Sequence, residues 1–458
     1  MERIDALLME IENLIWGIPL LFLLLGTGAY LTIILKGVQF RYLGYAIKQV
    51  FAKQREDSRG DISHFEALMT SLAGAIGTGT IVGVATAISL GGLGALFWMW
   101  VTAFLGMATK YAESLLAVKY RLLDSRGEMI GGPMQYIERG LGWKWLAFLF
   151  AVFGCIAAVG TGNLVQVNSI AVAVNEVWSA DPWVTGVILS VLTGLVIMGG
   201  VRSIGLVAGV LVPIMAIFYI GGGLIIIVMH FDRIPEALVT IMTSAFQGQA
   251  AFGGFVGATV MSAVQMGVSR SVFSNEAGLG ISSIAAAAAK TDSPGRQAMI
   301  NMTGALLSTV IVCSITGLVM AVTGVLGKTN ESGDVLKGAS MAISAFNVLS
   351  GGSYIVSIGL ILFAFSTVIA WGYYGEKCFE YLFGTRLILL YRILFTLIVI
   401  PGAALKMELA WYMANIANGL MAIPNLIALI VLSPVILAET KVFLESIRQD
   451  EAAAKAEK

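Results

Sequence analysis

Charged side chains are scarce in this sequence. Asp, Glu, Lys and Arg make up 12% of its 458 residues, about half the ~25% of an ordinary soluble domain. With 58% hydrophobic residues and a mean hydropathy of +0.87, that deficit excludes a water-soluble globule. A formal net charge of zero leaves no basic footprint for nucleic acid. The two histidines, His64 and His230, fall outside the apolar runs, which argues against a histidine-held metal. Cys155, Cys313 and Cys378 are scattered in or at the end of apolar runs. They read as small buried hydrophobes, with neither a disulfide framework nor a metal pattern. Long alternating strands are absent, which excludes a membrane barrel. A Walker pattern is absent too, which excludes ATP coupling. The N-terminal "MERIDALLMEIEN" lacks the basic start of a signal peptide and no small-residue cleavage site follows, so it reads as a retained helix.

What the sequence does hold is apolar runs of about 20 residues, the length of a bilayer-spanning helix. Eleven are expected, near 14–36, 65–90, 94–120, 145–175, 183–200, 205–229, 251–289, 298–326, 352–378, 387–405 and 411–438. The segments 37–64 and 121–144 are polar and basic, and 439–458 reads as a soluble tail. Lys and Arg set the orientation. With the N-terminus outside, one side receives Lys36, Arg41, Lys48, Lys53, Arg55, Arg59, Lys119, Arg121, Arg126, Arg139, Lys144, Arg202, Lys290, Arg296, Lys377, Arg386 and the tail. The other receives only Arg3, Arg233, Lys328, Lys337 and Lys406. The reading is therefore a cell-membrane protein with its N-terminus outside and its C-terminus in the cytoplasm.

After the first span, ten remain, and they divide into five and five. An odd number per half forces opposite topology, so the expected organisation is an extra helix and connector (1–64), a first repeat (65–229), an inverted second repeat (230–438) and a tail (439–458). No residue-level identity joins the halves; the repeat is argued from topology. Each half opens on an interrupted apolar segment, "LAGAIGTGTIVG" (72–83) and "MSAVQMGVSRSVFSNEAGLG" (261–280). Paired interruptions of this kind point to a transporter binding site.

Irregular backbone at membrane depth persists only where it lines a cavity or is buried in protein. A break near Ala75–Thr78 therefore implies a site. A half-helix ending near Ile76 offers free carbonyls and a partial negative charge, which suit a small cation. One starting near Thr78 offers N–H groups and a partial positive charge, which suit a carboxylate. The alternative reading of such glycines is close helix packing, favoured here for Gly83, Gly91 and Gly92.

The stretches "GTGTIVGVATAISLGGLGALFWMWVTAFLGMATKYAESLLAVKYR" (77–121), "GGPMQYIERGLG" (131–142) and "SNEAGLGISSIAAAAAKTD" (274–292) resemble the alanine or glycine:cation symporter family. The resemblance covers 65–438. It implies an all-α, leucine-transporter-type fold with core helices one and six broken. It also implies a symporter for alanine and glycine driven by sodium. The substrate carboxylate would meet the amides of Thr78 and Gly79, and the ammonium the carbonyl of Ala75. Sodium would take the carbonyls of Ala73, Ile76 and Phe363 and the hydroxyls of Ser366 and Thr367.

Other polar groups in the spans extend this reading. Asn163, Gln166 and Ser169 share one helix face, where Gln166 either bonds substrate or joins helices. The seventh span reads as a half-helix near 253–268, an unwound centre and a second piece ending near 289. Phe273 and Asn275 are its candidates for the substrate cavity. Arg270 and Glu276 would pair across the break or face a vestibule. Thr367 and Trp371, four residues apart, share a face on which Trp371 either caps the pocket or packs in the core. Lys110 and Glu113, three apart, are expected to pair locally, Glu376 to lie at the interface, and Trp98, Trp100, Trp143 and Trp411 to form interfacial belts. No cofactor is expected beyond the transported sodium. The partners are a small amino acid, sodium and lipid, with no obligatory protein partner. A membrane enzyme would need clustered catalytic groups, and a channel would not need a site for a whole zwitterion. Proton coupling is the rival within the transporter class.

Overall fold

The computed structural model describes residues 2–52, 58–250, 256–330, 333–405 and 407–456, with side chains described for those within 7–405 and 410–449. Lys53, Arg55, Lys406 and the first part of the expected seventh span, 251–255, lie outside the described residues.

The described residues are mostly helical. The first apolar run forms two helices, α1 (Glu2–Ile15) and α2 (Ile18–Ile34), because Gly17 and Pro19 break it. Proline lacks an N–H and suits only a first turn. The helix α1 is fastened to the far end of the chain: Trp16 Nε1 donates to Asn415 O at 2.9 Å, and Asn415 Nδ2 to Glu12 Oε1 at 2.7 Å.

α3 (His64–Ala75) starts at a capping box in which Ser63 and Glu66 each bond the other's backbone N–H. After Gly77 comes one tight turn, Thr78–Thr80, and then α4 (Val82–Gly91). α5 (Gly94–Lys119) leads to the one sheet among the described residues, an antiparallel hairpin of β1 (Leu122–Leu123) and β2 (Met129–Ile130). α6 (Lys144–Trp178) is a single run with a wide π turn at Gly160–Leu164. α7 (Pro182–Ile197) and α8 (Gly200–Met229) follow, and then α9 (Ile234–Gln247). The second interrupted segment is α10 (Val260–Asn275) and α11 (Ser283–Ala287). α12 (Pro294–Thr323), α13 (Gly338–Phe346), α14 (Gly352–Phe383), α15 (Ile388–Gly402), α16 (Met407–Val431) and α17 (Ser433–Ala456) complete the chain.

Among the described residues, seven helical runs are long and apolar enough to cross a bilayer. Four of the eleven expected spans fall outside that test. Two are interrupted, α7 has 16 residues, and Lys110, Tyr111 and Glu113 break the apolar run of α5. The outward faces of α7 and α8 carry Leu195, Leu206 and Ile217, all more than 60% exposed. A contiguous apolar coat of this kind belongs against lipid.

Within that coat, α5 packs between α10 and α12, while α14 packs against α3, α6 and α8. The two interrupted segments touch each other along α4 and α10. Both breaks therefore lie in the interior of the bundle, where side chains rather than water must satisfy their backbone groups.

Candidate functional site

The first break is shaped by glycine. A Cβ on Gly77 would lie 2.4 Å from Thr367 Oγ1 and 3.0 Å from Gln166 Oε1, and one on Gly79 would lie 2.7 Å from Phe273 Cδ1. Only bare backbone lets α14, α6 and α10 bring those side chains so close. Thr78 N donates to Gln166 Oε1 at 3.1 Å, and Gln166 Nε2 donates to Thr161 O at 3.0 Å in the π turn of α6. Gln166 thus occupies the amide that the sequence assigned to a carboxylate. Thr80 Oγ1 donates to Gly77 O at 2.8 Å.

One turn earlier, four oxygens from two helices converge. Thr367 Oγ1 lies 2.9 Å from Ala73 O and 3.0 Å from Phe363 O. Ser366 Oγ lies 3.4 Å and 2.8 Å from the same two carbonyls. All four residues are buried. Two carbonyls and two hydroxyls are hard, uncharged donors, a set that suits a small alkali cation better than a soft metal. Ile76 closes α3 with ψ at 77°, and its N–H still bonds Leu72 O at 2.7 Å. No contact places its carbonyl within this cluster.

Trp371 continues the same face of α14. A Cβ on Gly162 would lie 2.1 Å from Trp371 Cβ, so the indole fills the space left by that glycine. Its Nε1 donates to Gly74 O at 3.3 Å. Packing and wall are both served by one side chain. Phe273 is buried with its ring 5.1 Å from that of Trp411. Trp411 also lines a cavity of about 420 Å³ shared with Val82, Thr86, Ser169, Glu176 and Arg270. The Arg270 guanidinium lies 5.2 Å over the Trp411 ring.

The second break departs from the sequence reading. The polar run "SRSVFSN" remains helical because its hydroxyls bond inside the protein, Ser271 Oγ to Met99 O at 3.1 Å and Ser274 Oγ near Thr309 Oγ1 at 3.2 Å. The unwound residues are 276–282, where Gly278 and Gly280 take φ of 91° and 77°. Asn275 stands at the end of that helix. Its Nδ2 bonds Ser271 and Thr309, and its Oδ1 accepts from Ala277 N at 2.9 Å, so it caps the helix end. Lys110 and Glu113 form no ion pair among the described residues; each serves this break. Lys110 Nζ donates to Asn275 O at 2.7 Å, the terminal carbonyl of α10. Glu113 Oε1 accepts from Gly278 N at 2.9 Å, Gly280 N at 3.1 Å and Asn425 Nδ2 at 2.7 Å. A cation thus sits at the helix C-terminus and an anion at the loop N–H groups, as the local dipoles favour. Two charges inside an apolar run were the signal for this role; what they bind was not legible.

Arg270 and Glu276 do not pair. Arg270 faces the cavity, whereas Glu276, at φ 60°, lies 1% exposed and turns towards Trp371 and Lys110. A Cβ on Gly74 would come within 3.0 Å of Glu276 Oε1, so the two breaks meet at this contact.

Comparison with known proteins decides the family. Residues 1–457 match the sodium:alanine symporter family. The chain is a member of that family. It is 53% identical over 453 residues to the sodium/alanine symporter AgcS of Methanococcus maripaludis, covering 98% of each chain. It is 51% identical over 449 residues to an uncharacterized transporter of Haemophilus influenzae, covering 97% of each. Among solved structures it resembles MhsT in complex with L-phenylalanine, with a TM-score of 0.59 and 14% identity, covering 84% of this chain and 93% of that one. At that identity the likeness shows the fold alone, which is of the leucine-transporter type. Family and fold make this a transporter, not an enzyme.

In this symporter the connector between α5 and α6 carries a charge network. Lys377 Nζ lies 3.1 Å from Glu128 and 3.0 Å from Glu380, and Arg126 reaches Asp124 at 3.0 Å and Glu128 at 2.9 Å. Burial alone would raise the Asp124 carboxyl. Hydrogen bonds from the N–H groups of Glu128 and Arg126 and from the Arg126 guanidinium outweigh it and hold the group below its ordinary value. Glu376 is also corrected: it is 1% exposed and held by both sides of the Arg392 fork at 2.7 and 2.9 Å, not interfacial.

Proposed function

We propose that this chain is a secondary-active symporter that couples inward sodium movement to uptake of alanine and glycine by alternating access. The observation that carries the reading is the gathering of Ala73 O, Phe363 O, Ser366 Oγ and Thr367 Oγ1 beside a helix break whose first amide, Thr78 N, is held by a side-chain stand-in. Sodium enters that oxygen set, joined by the Ile76 carbonyl. The solute carboxylate displaces Gln166 Oε1 and takes the amides of Thr78 and Gly79. Its ammonium takes the Ala75 carbonyl. Phe273, Thr367 and Trp371 wall the pocket. A methylene alters binding by only ~1–3 kcal/mol, so larger solutes are excluded by these walls rather than by weak fit.

The architecture proposed with it is an extra helix followed by five and five spans in inverted repeat. The repeats are 65–229 and 230–438, and α3–α4 and α10–α11 are their broken first helices. The N-terminus lies outside and the hairpin face inside, in a cell membrane, with no obligatory protein partner. Lys and Arg residues on the connector side support that orientation. Because both ligands share one break, each raises the other's affinity by the same factor.

Uptake of labelled alanine by proteoliposomes under an imposed sodium gradient tests the reading. Accumulation above the equilibrium level that collapses when the gradient is dissipated supports it. Flux that merely equilibrates would indicate a channel. One observation favours proton coupling as a second reading: the buried Glu276 carboxylate lies beside Gly74, next to Ala73, with Lys110 and Trp371 for neighbours. A pH step in place of the sodium gradient decides between the two.

A further inference from the structure

The approaches to the two interrupted helices meet on the hairpin face. Residues 59–62, which lead into α3, run parallel to residues 287–291, which leave α11, with a bridge between Ile62 and Ala289. Asp61 N donates to Ala288 O at 2.8 Å, Lys290 N to Ile62 O at 2.8 Å and Thr291 N to Arg59 O at 3.0 Å. Gly60, at φ 152°, makes this approach possible: a Cβ there would lie 2.4 Å from Lys290 Cα.

One side chain is wrapped over the seam. The Arg121 guanidinium, just beyond α5, donates through Nη1 to Ala287 O at 2.9 Å and Ala289 O at 2.7 Å. Through Nη2 it donates to Arg59 O at 3.0 Å and Thr291 O at 2.5 Å. The four acceptors come from both strands of the seam. The neighbouring hairpin adds Met129 N to Asp61 Oδ2 at 2.7 Å.

We propose that Arg121 is a positioning residue that clamps these ends into one unit, so that the two interrupted helices release on the hairpin side together and not one at a time. A planar fork with fixed donors can serve four carbonyls at once, which the point charge of lysine cannot. Each interrupted helix is fastened at its break to its own set of partners, Gln166 and Thr367 for the first and Glu113 and Lys110 for the second, so the seam is what joins one to the other on the hairpin face. Sewn together, they can transmit events at one break to the other. The transport consequence rests on the symporter reading above; the clamp itself does not.

Hydrogen–deuterium exchange on the full chain in detergent tests it through peptides covering 58–63 and 287–292. In Arg121→Lys, exchange is expected to rise at least tenfold in both peptides to the same extent, with peptides of α14 and α16 unchanged. In proteoliposomes the same variant should lose uphill alanine accumulation while sodium-dependent alanine binding stays within threefold. Unchanged exchange, or a rise in one peptide only, would overturn the clamp. If Arg121→Lys loses protection throughout, Gly60→Ala decides, since it wedges the seam with Arg121 intact. Joint loosening of both peptides supports the proposal, and loosening of 58–63 alone overturns it. Failed accumulation in the unaltered chain, with joint loosening in the variant, would count against the symporter reading and leave the clamp standing.

Discussion

Gly77 sits between Thr367 and Gln166 with no room for a methyl group, which makes it the most exacting position at the first break. Gly77→Ala should abolish sodium-dependent alanine binding, measured by scintillation proximity on purified protein, whereas Gly221→Ala, in α8 with nothing within 4 Å of the added methyl, should not. Thr367→Ala removes a hydroxyl and little volume. It should raise the sodium concentration for half-maximal binding at least tenfold while costing about 1 kcal/mol in stability, the usual net worth of one hydrogen bond. Thr367→Ser should recover most of the sodium response. Unchanged sodium activation in Thr367→Ala would remove that hydroxyl from the ion site. Gly79→Leu should abolish alanine binding by driving a side chain into Phe273. At this scale the sequence was informative where chemistry is local. The glycine cluster marked the break, and the resemblance named Ala73, Phe363, Ser366 and Thr367, which the fold brings within hydrogen-bond distance. The cap made by Asn275 was not legible, because a polar residue beside a break reads the same whether it faces a solute or caps a helix. The aromatic pair of Phe273 and Trp411 was missed because its members are far apart in sequence.

Elements show why the second break was harder to place. A run of serines and an arginine looks incompatible with a buried helix, yet Ser271 and Ser274 find a carbonyl and a hydroxyl in neighbouring helices and Ser269 turns back onto Met266 O of its own helix, so α10 continues to Asn275. Glu113 then supplies one oxygen to three donors, two N–H groups of the unwound stretch and the Asn425 amide of α16. Removing a buried charged acceptor leaves those donors unpaired. Glu113→Ala should therefore destabilise by roughly 1–3 kcal/mol or more, seen as a lowered Tm in thermal unfolding. Glu113→Gln, which keeps one acceptor oxygen, should lose clearly less. Equal losses would mean that the N–H groups do not depend on that oxygen. The hairpin offers a pH test. Asp124 is held below its ordinary value, so its stabilising contribution is present above the usual carboxylate range and is lost as pH falls through its lowered value. Protection of peptides covering 122–130 against hydrogen exchange, taken relative to the intrinsic rate at each pH, should fall on acidification in that window, and Asp124→Asn should show the lower protection at every pH.

For the whole molecule, helical class, membrane character and the presence of two interrupted segments were legible, because composition and apolar run length depend on the bilayer alone. The short helices α9 and α13 were not, since 14 and nine residues without a long apolar run resemble loop. Gly17 and Pro19 split the first run for a reason visible locally, but the docking of α1 through Trp16 and Glu12 onto Asn415 joins the two ends of the chain and leaves no local trace. The proposed orientation makes a direct prediction. A cysteine at Ser125 in the hairpin should react with an impermeant thiol reagent only in inside-out vesicles, and one at Ser340 only in right-side-out vesicles. The account as a whole turns on the interruption between Ala75 and Thr78, and a density map of the protein equilibrated with sodium and alanine examines it most directly. The account predicts solute density against the Thr78 and Gly79 amides, Gln166 displaced from Thr78, and a single ion among the oxygens of Ala73, Phe363, Ser366 and Thr367. Alanine bound away from that interruption, or those oxygens still bonded to one another with sodium elsewhere, would contradict it.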